Sequence, residues 1–170
     1  MKYPFILSKD FTYMPQQDPI LDDLDRRILN ILQVDASQTN AELAELVHIS
    51  PPTCLRRVKQ LRENGVIERQ VAIVAPDKVG ARLSAIVEIT LDVQAADRMA
   101  EFERVVADEA AVLQCYRVSP GPDFVLVVQV ADMPAYHALA HRLFTTHSNV
   151  RNVKAYFSTF RSKFETRIDI

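Results

Sequence analysis

The chain has little or none of several residue types that mark particular protein classes. Its 170 residues include no tryptophan, three glycines and two cysteines. Cys54 and Cys115 follow neither metal-binding nor redox spacing, so a reducing, cytoplasmic compartment is expected, although a disulfide is not excluded. No apolar run approaches the roughly 20 residues of a membrane-spanning helix, and the first residues lack the apolar stretch of a signal peptide. We therefore expect no membrane partner.

A strong excess of charge of either sign is also missing. The formal net charge is −2, so the chain as a whole is not a basic nucleic-acid-binding protein. The charges are unevenly placed, however, because residues 51–62 carry Arg56, Arg57, Lys59 and Arg62 and no acid. Since 48% of the residues are hydrophobic, the chain can bury the core of one ordinary domain or two small ones.

Three short helices are predicted in the first half of the chain. The first begins near Asp22, which can cap it, and carries apolar residues at helical spacing. The second opens with a capping box from Thr39 to Glu42. The third starts at Ser50, tolerates two prolines in its first turn, and ends near Gly65. This arrangement is typical of a helix-turn-helix.

The third predicted helix has one face to bury and one basic face to expose. Cys54, Leu55, Val58 and Leu61 fall on the side expected to be buried. The other side suits the major groove, where arginine matches guanine, glutamine matches adenine, and hydroxyls and amides suit phosphate oxygens. The residues predicted to bind DNA are Ser50, Pro51, Pro52, Thr53, Arg56, Arg57, Lys59 and Gln60. The alternative interpretation is an amphipathic helix whose polar face is only solvated.

The second half of the chain follows a different pattern. Residues 66–75 are β-like, and the Pro-Asp-Lys-Val-Gly sequence that follows indicates a linker. Strand and helix patterns then succeed one another as β-α-β-β-α-β, ending in a strand predicted over 153–164, which is the ferredoxin-like order. The predicted domains are an arm (1–19), a helix-turn-helix domain (20–75), a linker (76–82) and an α+β domain (83–170).

In both halves the chain resembles the Lrp/AsnC family, the feast/famine transcriptional regulators of bacteria and archaea. The motifs that carry the resemblance are Leu21–Leu29, Leu46–Pro51, Arg56–Leu61, Asn64–Ile67, Val87–Leu91 and Asp123-Phe124. The resemblance covers about residues 20–165. It implies a winged or simple helix-turn-helix joined to an effector-binding α+β domain. It also implies dimers that pair through their sheets and assemble further, often to octamers, on palindromic DNA. Effectors in the family are commonly amino acids, bound between dimers.

By position in the family, the effector-binding residues are Arg117, Ser119, Pro120, Gly121, Asp123, Met133, Tyr156, Phe157 and Ser158. The family turn Gly-x-x-Asp-Tyr/Phe is altered here, because Pro120 stands where the glycine is expected and Gly121 follows. Arg117 stands where leucine-responsive members tend to carry an apolar residue, which weakens a leucine assignment. Its cation can meet a ligand carboxylate or form a salt bridge across an assembly interface. Asp123 is either a turn-forming residue or a ligand contact.

Two other functions remain as alternatives. An enzyme is not expected, because the sequence shows no phosphate-binding loop, nucleophile elbow or paired carboxylate site. His137 and His141 lie four residues apart with His147 further along, a spacing that can bind zinc, but no adjacent third ligand is evident. A metal-responsive regulator is therefore less favoured, and no metal or cofactor is expected. An assembly protein without DNA readout is less favoured because the third helix has a basic face.

Overall fold

A computed structural model of the chain describes residues 21–146 and 149–170. The predicted arm at residues 1–19 lies outside the described residues. The described chain divides into two compact units, which we call the helix-turn-helix unit (21–73 with Lys163–Ile170) and the sheet unit (Val74–Ser162).

The helix-turn-helix unit contains three helices, α1 (Asp23–Leu32), α2 (Asn40–Leu46) and α3 (Pro51–Glu63). Their inward side chains form one apolar cluster, because the buried positions recur at the spacing of one helical face. The buried members of this cluster are Ile28, Leu29, Leu43, Ala44, Val47, Cys54 and Leu61.

The predicted start signals of α1 and α2 are confirmed. The Asp22 carboxylate accepts the backbone N–H of Asp25 at 2.8 Å. Thr39 and Glu42 form both halves of the capping box ahead of α2. Ser50 precedes α3 as predicted but makes no side-chain cap bond, and its hydroxyl lies 2.8 Å from that of Thr53 instead.

The turn between α2 and α3 depends on a residue in the left-handed region. His48 has a φ of 58°, and its N–H bonds to the carbonyl of Glu45 while that of Ile49 bonds to Ala44. This pair of bonds is a Schellman motif, in which the residue with positive φ is most often glycine. At the end of α3 the same role falls to Gly65, with a φ of 73°.

The segment Lys163–Ile170, which the sequence assigns to the second domain, contacts α1. Ile168 donates its N–H to the side-chain oxygen of Gln33 at 2.8 Å, and the carbonyl of Ile168 accepts a hydrogen bond from the side-chain nitrogen of Gln33 at 3.2 Å. Asn30 donates to the carbonyl of Ile170 at 3.4 Å. The Ile170 side chain packs against the apolar cluster of this unit. Sequence periodicity cannot predict such contacts, because about 140 residues separate the partners.

The sheet unit follows the predicted β-α-β-β-α-β order. Its strands are β1 (Leu83–Leu91), β2 (Val112–Arg117), β3 (Phe124–Val130) and β4 (Val150–Phe157), and its helices are α4 (Ala96–Ala107) and α5 (Met133–Ala140). A 3₁₀ turn at Pro76–Val79 precedes β1, and a π-type turn at His141–Thr145 follows α5. The strands are antiparallel in the order β2-β3-β1-β4. The predicted ferredoxin-like α+β fold is confirmed.

The two faces of the sheet differ in burial. Alternate residues of β1 and β3, such as Val87 and Leu126, are fully buried together with Phe102 of α4 and Leu139 of α5. The intervening residues point to the opposite face, because successive side chains of a strand alternate. There Ile86, Tyr116 and Tyr156 are each about half exposed (49%, 52% and 52%). Among the described residues of this unit, no helix covers that open face.

Two strand predictions are wrong in extent. Residues 66–75 form no ladder with any described strand, and Val71, Ile73 and Val74 are exposed. The last strand ends at Phe157 instead of residue 164. The N–H of Ser158 donates a final hydrogen bond to the carbonyl of Ser84, which is one residue from the start of the partner strand β1. Alternating apolar residues indicate strand propensity, but a ladder needs a neighbouring strand.

Candidate nucleic-acid interface and effector residues

Three of the predicted DNA-binding residues, Arg56, Lys59 and Gln60, lie on the exposed side of α3. Within the described part of the chain Arg56 makes no ion pair. The Lys59 ammonium lies 3.6 Å from Glu63 one turn along, and 72% of its side chain is exposed. An exposed ion pair of this kind contributes little to stability, so the lysine is available to an anion. Cys54 and Leu61 are buried on the opposite side of the helix.

Arg57 is held differently from its neighbours. Its guanidinium lies 2.7 Å from a carboxylate oxygen of Asp22 and 3.2 Å from Asp25, and only 25% of its side chain is exposed. The pKa of the Asp22 carboxyl lies below its ordinary value, first because the Asp25 N–H bonds to it and further because of Arg57. The structure therefore places Arg57 between α1 and α3, where its charge is already compensated.

The first turn of α3 is fixed by polar contacts from α2 and from within the turn. Asn40, the first residue of α2, donates its side-chain amide to the carbonyl of Pro51 at 2.8 Å. Pro51 and Pro52 have no N–H, and Cys54 donates its N–H to the carbonyl of Ser50. The N–H of Thr53 is thus the one left in this turn for a phosphate oxygen, beside the paired hydroxyls of Ser50 and Thr53.

Leu55 contradicts the prediction that it faces the core. Its exposed fraction is 60%, whereas Cys54 next to it is fully buried. At 100° per residue, Leu55 is roughly 120° away from Leu61 around the helix axis, so it lies on the flank of the exposed face. This angle between Leu55 and Leu61 follows from the sequence alone, and it indicates that Leu55 is exposed.

The helix-turn-helix unit also contains a cleft of about 130 Å³ between α1 and α3. It is lined by Leu21, Asp25, Arg57, Gln60, Leu61, Asn64 and Val66. Pockets for small organic ligands have volumes of roughly 300–1,000 Å³. This cleft is smaller than that range, and none of the predicted effector residues lines it.

The predicted effector residues of the β2–β3 turn are held by the sheet unit itself. Asp123 is buried, and its carboxylate accepts the N–H of Leu91 at 2.7 Å, where the pairing of β1 with β4 shifts register. The Arg117 guanidinium contacts Glu103 of α4 at 2.9 Å and lies 6.0 Å from the centre of the Phe124 ring. Asp123 thus shapes the turn, and Arg117 has a carboxylate partner in its own chain.

The rest of that turn is exposed backbone and small side chains. The Ser119–Pro120 peptide bond is cis, and Gly121 has a φ of 123°, a value that favours glycine. Ser119, Pro120 and Gly121 are all exposed.

The remaining predicted effector residues lie near the start of α5 and the end of β4. Met133 is the first residue of α5 and is 39% exposed. The Phe157 ring meets that of Tyr136 edge-on, with centroids 4.9 Å apart. Tyr156 projects from the open face, and Ser158 follows directly on β4.

Strand register separates these two groups of effector residues. Phe124, next to Asp123, pairs with Ile89, whereas Val130, close to Met133, pairs with Leu83. The strand between them spans about 20 Å at roughly 3.3 Å per residue. One copy of the chain therefore does not bring residues 117–123 together with residues 133 and 156–158.

The described residues contain no group of three or more side chains suited to hold a metal ion. His137 and His141 are both exposed on α5 and the turn after it, while His147 lies outside the described residues. None of the helices in the described ranges has the length and apolarity that a bilayer crossing requires.

Known proteins resemble the chain along most of its length. A helix-turn-helix transcriptional regulator from Haemophilus influenzae is 42% identical over 81% of this chain and 82% of its own. The leucine-responsive regulatory protein of Escherichia coli is 35% identical, with 88% and 92% covered. Among solved structures, a regulator from Neisseria meningitidis in complex with L-Met has a TM-score of 0.82 and 30% identity, with 88% of this chain and 96% of that chain covered.

Both units also match family models. Residues 21–68 match the winged helix-turn-helix DNA-binding family, and residues 84–168 match the Lrp/AsnC ligand-binding domain. The chain is therefore a transcriptional regulator that combines a DNA-binding helix-turn-helix with a ligand-binding α+β domain. It belongs to the Lrp/AsnC family, which confirms the resemblance found in the sequence.

Proposed function

We propose that the protein is a sequence-specific DNA-binding regulator in which α3 enters the major groove and a small effector, an amino acid, changes assembly or DNA binding. The observation that carries the DNA-binding part is the exposed basic side of α3. Arg56, Lys59 and Gln60 are available there, and the opposite side of the helix is buried in the unit's own core. A helix anchored in this way presents its side chains to base edges.

The predicted DNA-binding residues take four roles in this proposal. Arg56 and Gln60 contact base edges, Lys59 contacts phosphate, and the hydroxyls of Ser50 and Thr53 contact phosphate at the helix start. Pro51 and Pro52 fix the helix start through their φ angles. Arg57 is a positioning residue, because Asp22 and Asp25 already compensate its charge.

A binding titration over a range of salt concentrations tests this proposal. Fluorescence anisotropy would follow the protein on duplex fragments from the region upstream of its own gene, for the wild type and for the double variant Arg56→Ala, Lys59→Ala. Loss of both side chains should weaken binding, and loss of the Lys59 phosphate contact should reduce the slope of log affinity against log salt by about one. Arg98→Ala, on α4 of the sheet unit and away from the open face, is the control for loss of a surface cation and should leave the slope unchanged. Equal slopes for the wild type and the double variant would reject α3 as the DNA-reading helix.

We infer further that the effector site is completed by a second copy of the chain. The two groups of effector residues lie about 20 Å apart within one copy, yet each has exposed side chains at its own end of the sheet, among them Ser119 and Met133. A pocket that uses both groups needs one from each of two copies. The open face with Ile86, Tyr116 and Tyr156 supports the first step of such assembly, because half-exposed apolar side chains on a sheet favour burial against a partner.

The class of effector is inferred from the relatives. One is named as leucine-responsive and another was crystallised with L-Met. Arg117, with 48% of its side chain exposed, offers a cation that can leave Glu103 for an α-carboxylate. Isothermal calorimetry with each of the twenty amino acids, together with light scattering for assembly size, tests this inference. Absence of heat and of any size change with all twenty would reject amino-acid sensing while leaving the DNA-binding proposal intact.

A further inference from the structure

An apolar ridge runs along the basic side of α3. Leu55 is 60% exposed, and the exposed ring of Pro52 lies one turn before it on the same side of the helix. Arg56 follows Leu55 directly, and Lys59 lies one turn further on. The helix therefore presents apolar surface beside the two cations proposed to contact DNA.

Leu55 is not needed to fill the core of its own unit. The buried positions of α3 are taken by Cys54 and Leu61, which are 0% and 4% exposed, with Val58 packed beside them. Leu55 lies within the first turn and a half of α3, the part of a recognition helix that approaches base edges.

The chemistry of the major groove supplies an apolar partner of matching size. Thymine is the base that carries a methyl group on its groove edge, while the other groove edges offer hydrogen-bond donors and acceptors. A leucine side chain cannot satisfy those polar groups but can bury a methyl group from water.

We propose that Leu55, flanked by the ring of Pro52, is a specificity-determining residue that recognises the C5-methyl group of thymine in the operator. This rests on the proposed function of α3 as the DNA-reading helix. The two cations hold the helix in the groove, and Leu55 makes one or two positions of the operator selective for thymine.

Replacement of thymine by deoxyuridine tests the proposal, because it removes the methyl group and leaves base pairing and groove polarity intact. A duplex selected from a random library by the wild-type protein would be re-synthesised with deoxyuridine at each thymine in turn. Affinities would be measured by fluorescence anisotropy for the wild type, Leu55→Ala and Leu46→Ala. Leu46 is a matched control, since it is 53% exposed on α2.

The wild type and Leu46→Ala should lose roughly four-fold in affinity at one or two deoxyuridine positions, the factor expected for one buried methyl group. Leu55→Ala should bind the thymine duplex several-fold more weakly and bind the thymine and deoxyuridine duplexes equally. Thermal unfolding of each variant would establish that the unit remains folded.

Four outcomes would overturn the inference. Equal affinity of the wild type for all thymine and deoxyuridine duplexes would show that no methyl group is read, while DNA binding itself stands. Discrimination retained in Leu55→Ala would assign the reading to another residue. If Leu55→Ala changes the oligomer size in light scattering and leaves the discrimination intact, Leu55 contacts another copy. Failure of the wild type to bind any selected duplex would reject the DNA-binding proposal as well, so the two failures are distinguishable.

Discussion

Adjacent arginines of one helix have different surroundings in this protein. Arg56 points away from the core, whereas Arg57 reaches back across 32 residues to Asp25, a buried carboxylate, and to Asp22 at the start of α1. A helical wheel gives their directions but not their partners, because the wheel describes one helix only. The sequence therefore predicted both as DNA contacts.

Arg57→Ala should destabilise the helix-turn-helix unit, because it leaves the Asp25 carboxylate buried without a cation. We expect a loss of about 1–2 kcal/mol in the free energy of unfolding. Arg56→Ala is the matched control and should change it by less than about 0.5 kcal/mol, since it removes no described contact. Urea unfolding followed by circular dichroism measures both. Equal effects of the two substitutions would contradict the positioning role of Arg57.

The Asp22 carboxyl should make this unit sensitive to acid. Its pKa in the folded protein is below the ordinary value of 3.8, because the N–H of Asp25 and then Arg57 stabilise the anion. The folded state therefore binds this proton less readily than the unfolded state. The stabilisation is fully present above about pH 4 and is lost as the pH falls through the lower folded pKa.

Asp22→Asn keeps a capping oxygen but removes the ionisable group. The free energy of unfolding of this variant, measured by urea titration at pH values from about 5 to 2, should fall less steeply than that of the wild type. Identical pH profiles would show that Asp22 does not contribute to acid sensitivity.

At the scale of elements, the helix ends at His48 and Gly65 make a matched pair. Both residues have positive φ, but His48 carries a side chain and Gly65 does not. Apart from its chain neighbours, no atom of the described residues lies within 4 Å of the place where a Cβ on Gly65 would stand, so a substitution there tests conformation and not collision.

His48→Gly should raise the free energy of unfolding by up to about 1 kcal/mol, because the left-handed region disfavours a Cβ. Gly65→Ala should lower it by about 1 kcal/mol for the same reason. Thermal or urea unfolding of both variants provides the measurement. A destabilised His48→Gly would mean that the histidine side chain makes a favourable contact that outweighs its backbone conformation.

Local signals in the sequence predicted the elements well where the signal and the stabilising contact lie in the same element. The capping box at Thr39 and Glu42 and the cap of α1 by Asp22 are of this kind. Predictions were wrong where the outcome depends on a distant partner. The strand expected over 66–75 lacks a neighbouring strand, and the end of β4 is set by the start of β1. The prediction that Leu55 is buried was wrong for a different reason, because its direction on the helix lies roughly 120° from that of Leu61.

At the scale of the whole molecule, the two groups of effector residues were predicted as a single site. The family order of motifs carries no distances, so only the register of β1 with β3 shows that the groups lie at opposite ends of the sheet. If the effector site is shared between copies, a defect in one group should be complemented by a copy with a defect in the other. If all of the effector residues act within one copy, mixing the two defective copies cannot restore a complete site.

Arg117→Ala and Met133→Ala should each abolish effector binding in a homo-oligomer, since every shared site then lacks one half. When the two variants are unfolded together and refolded as a mixture, random assembly should restore about a quarter of the sites, because each intact half is present with a chance of about one half. Calorimetry with the effector found for the wild type counts the restored sites, and a mixture of separately refolded variants is the control. No restored binding in the co-refolded mixture, with assembly size unchanged, would contradict a site built from two copies and would place all of the required residues in one chain.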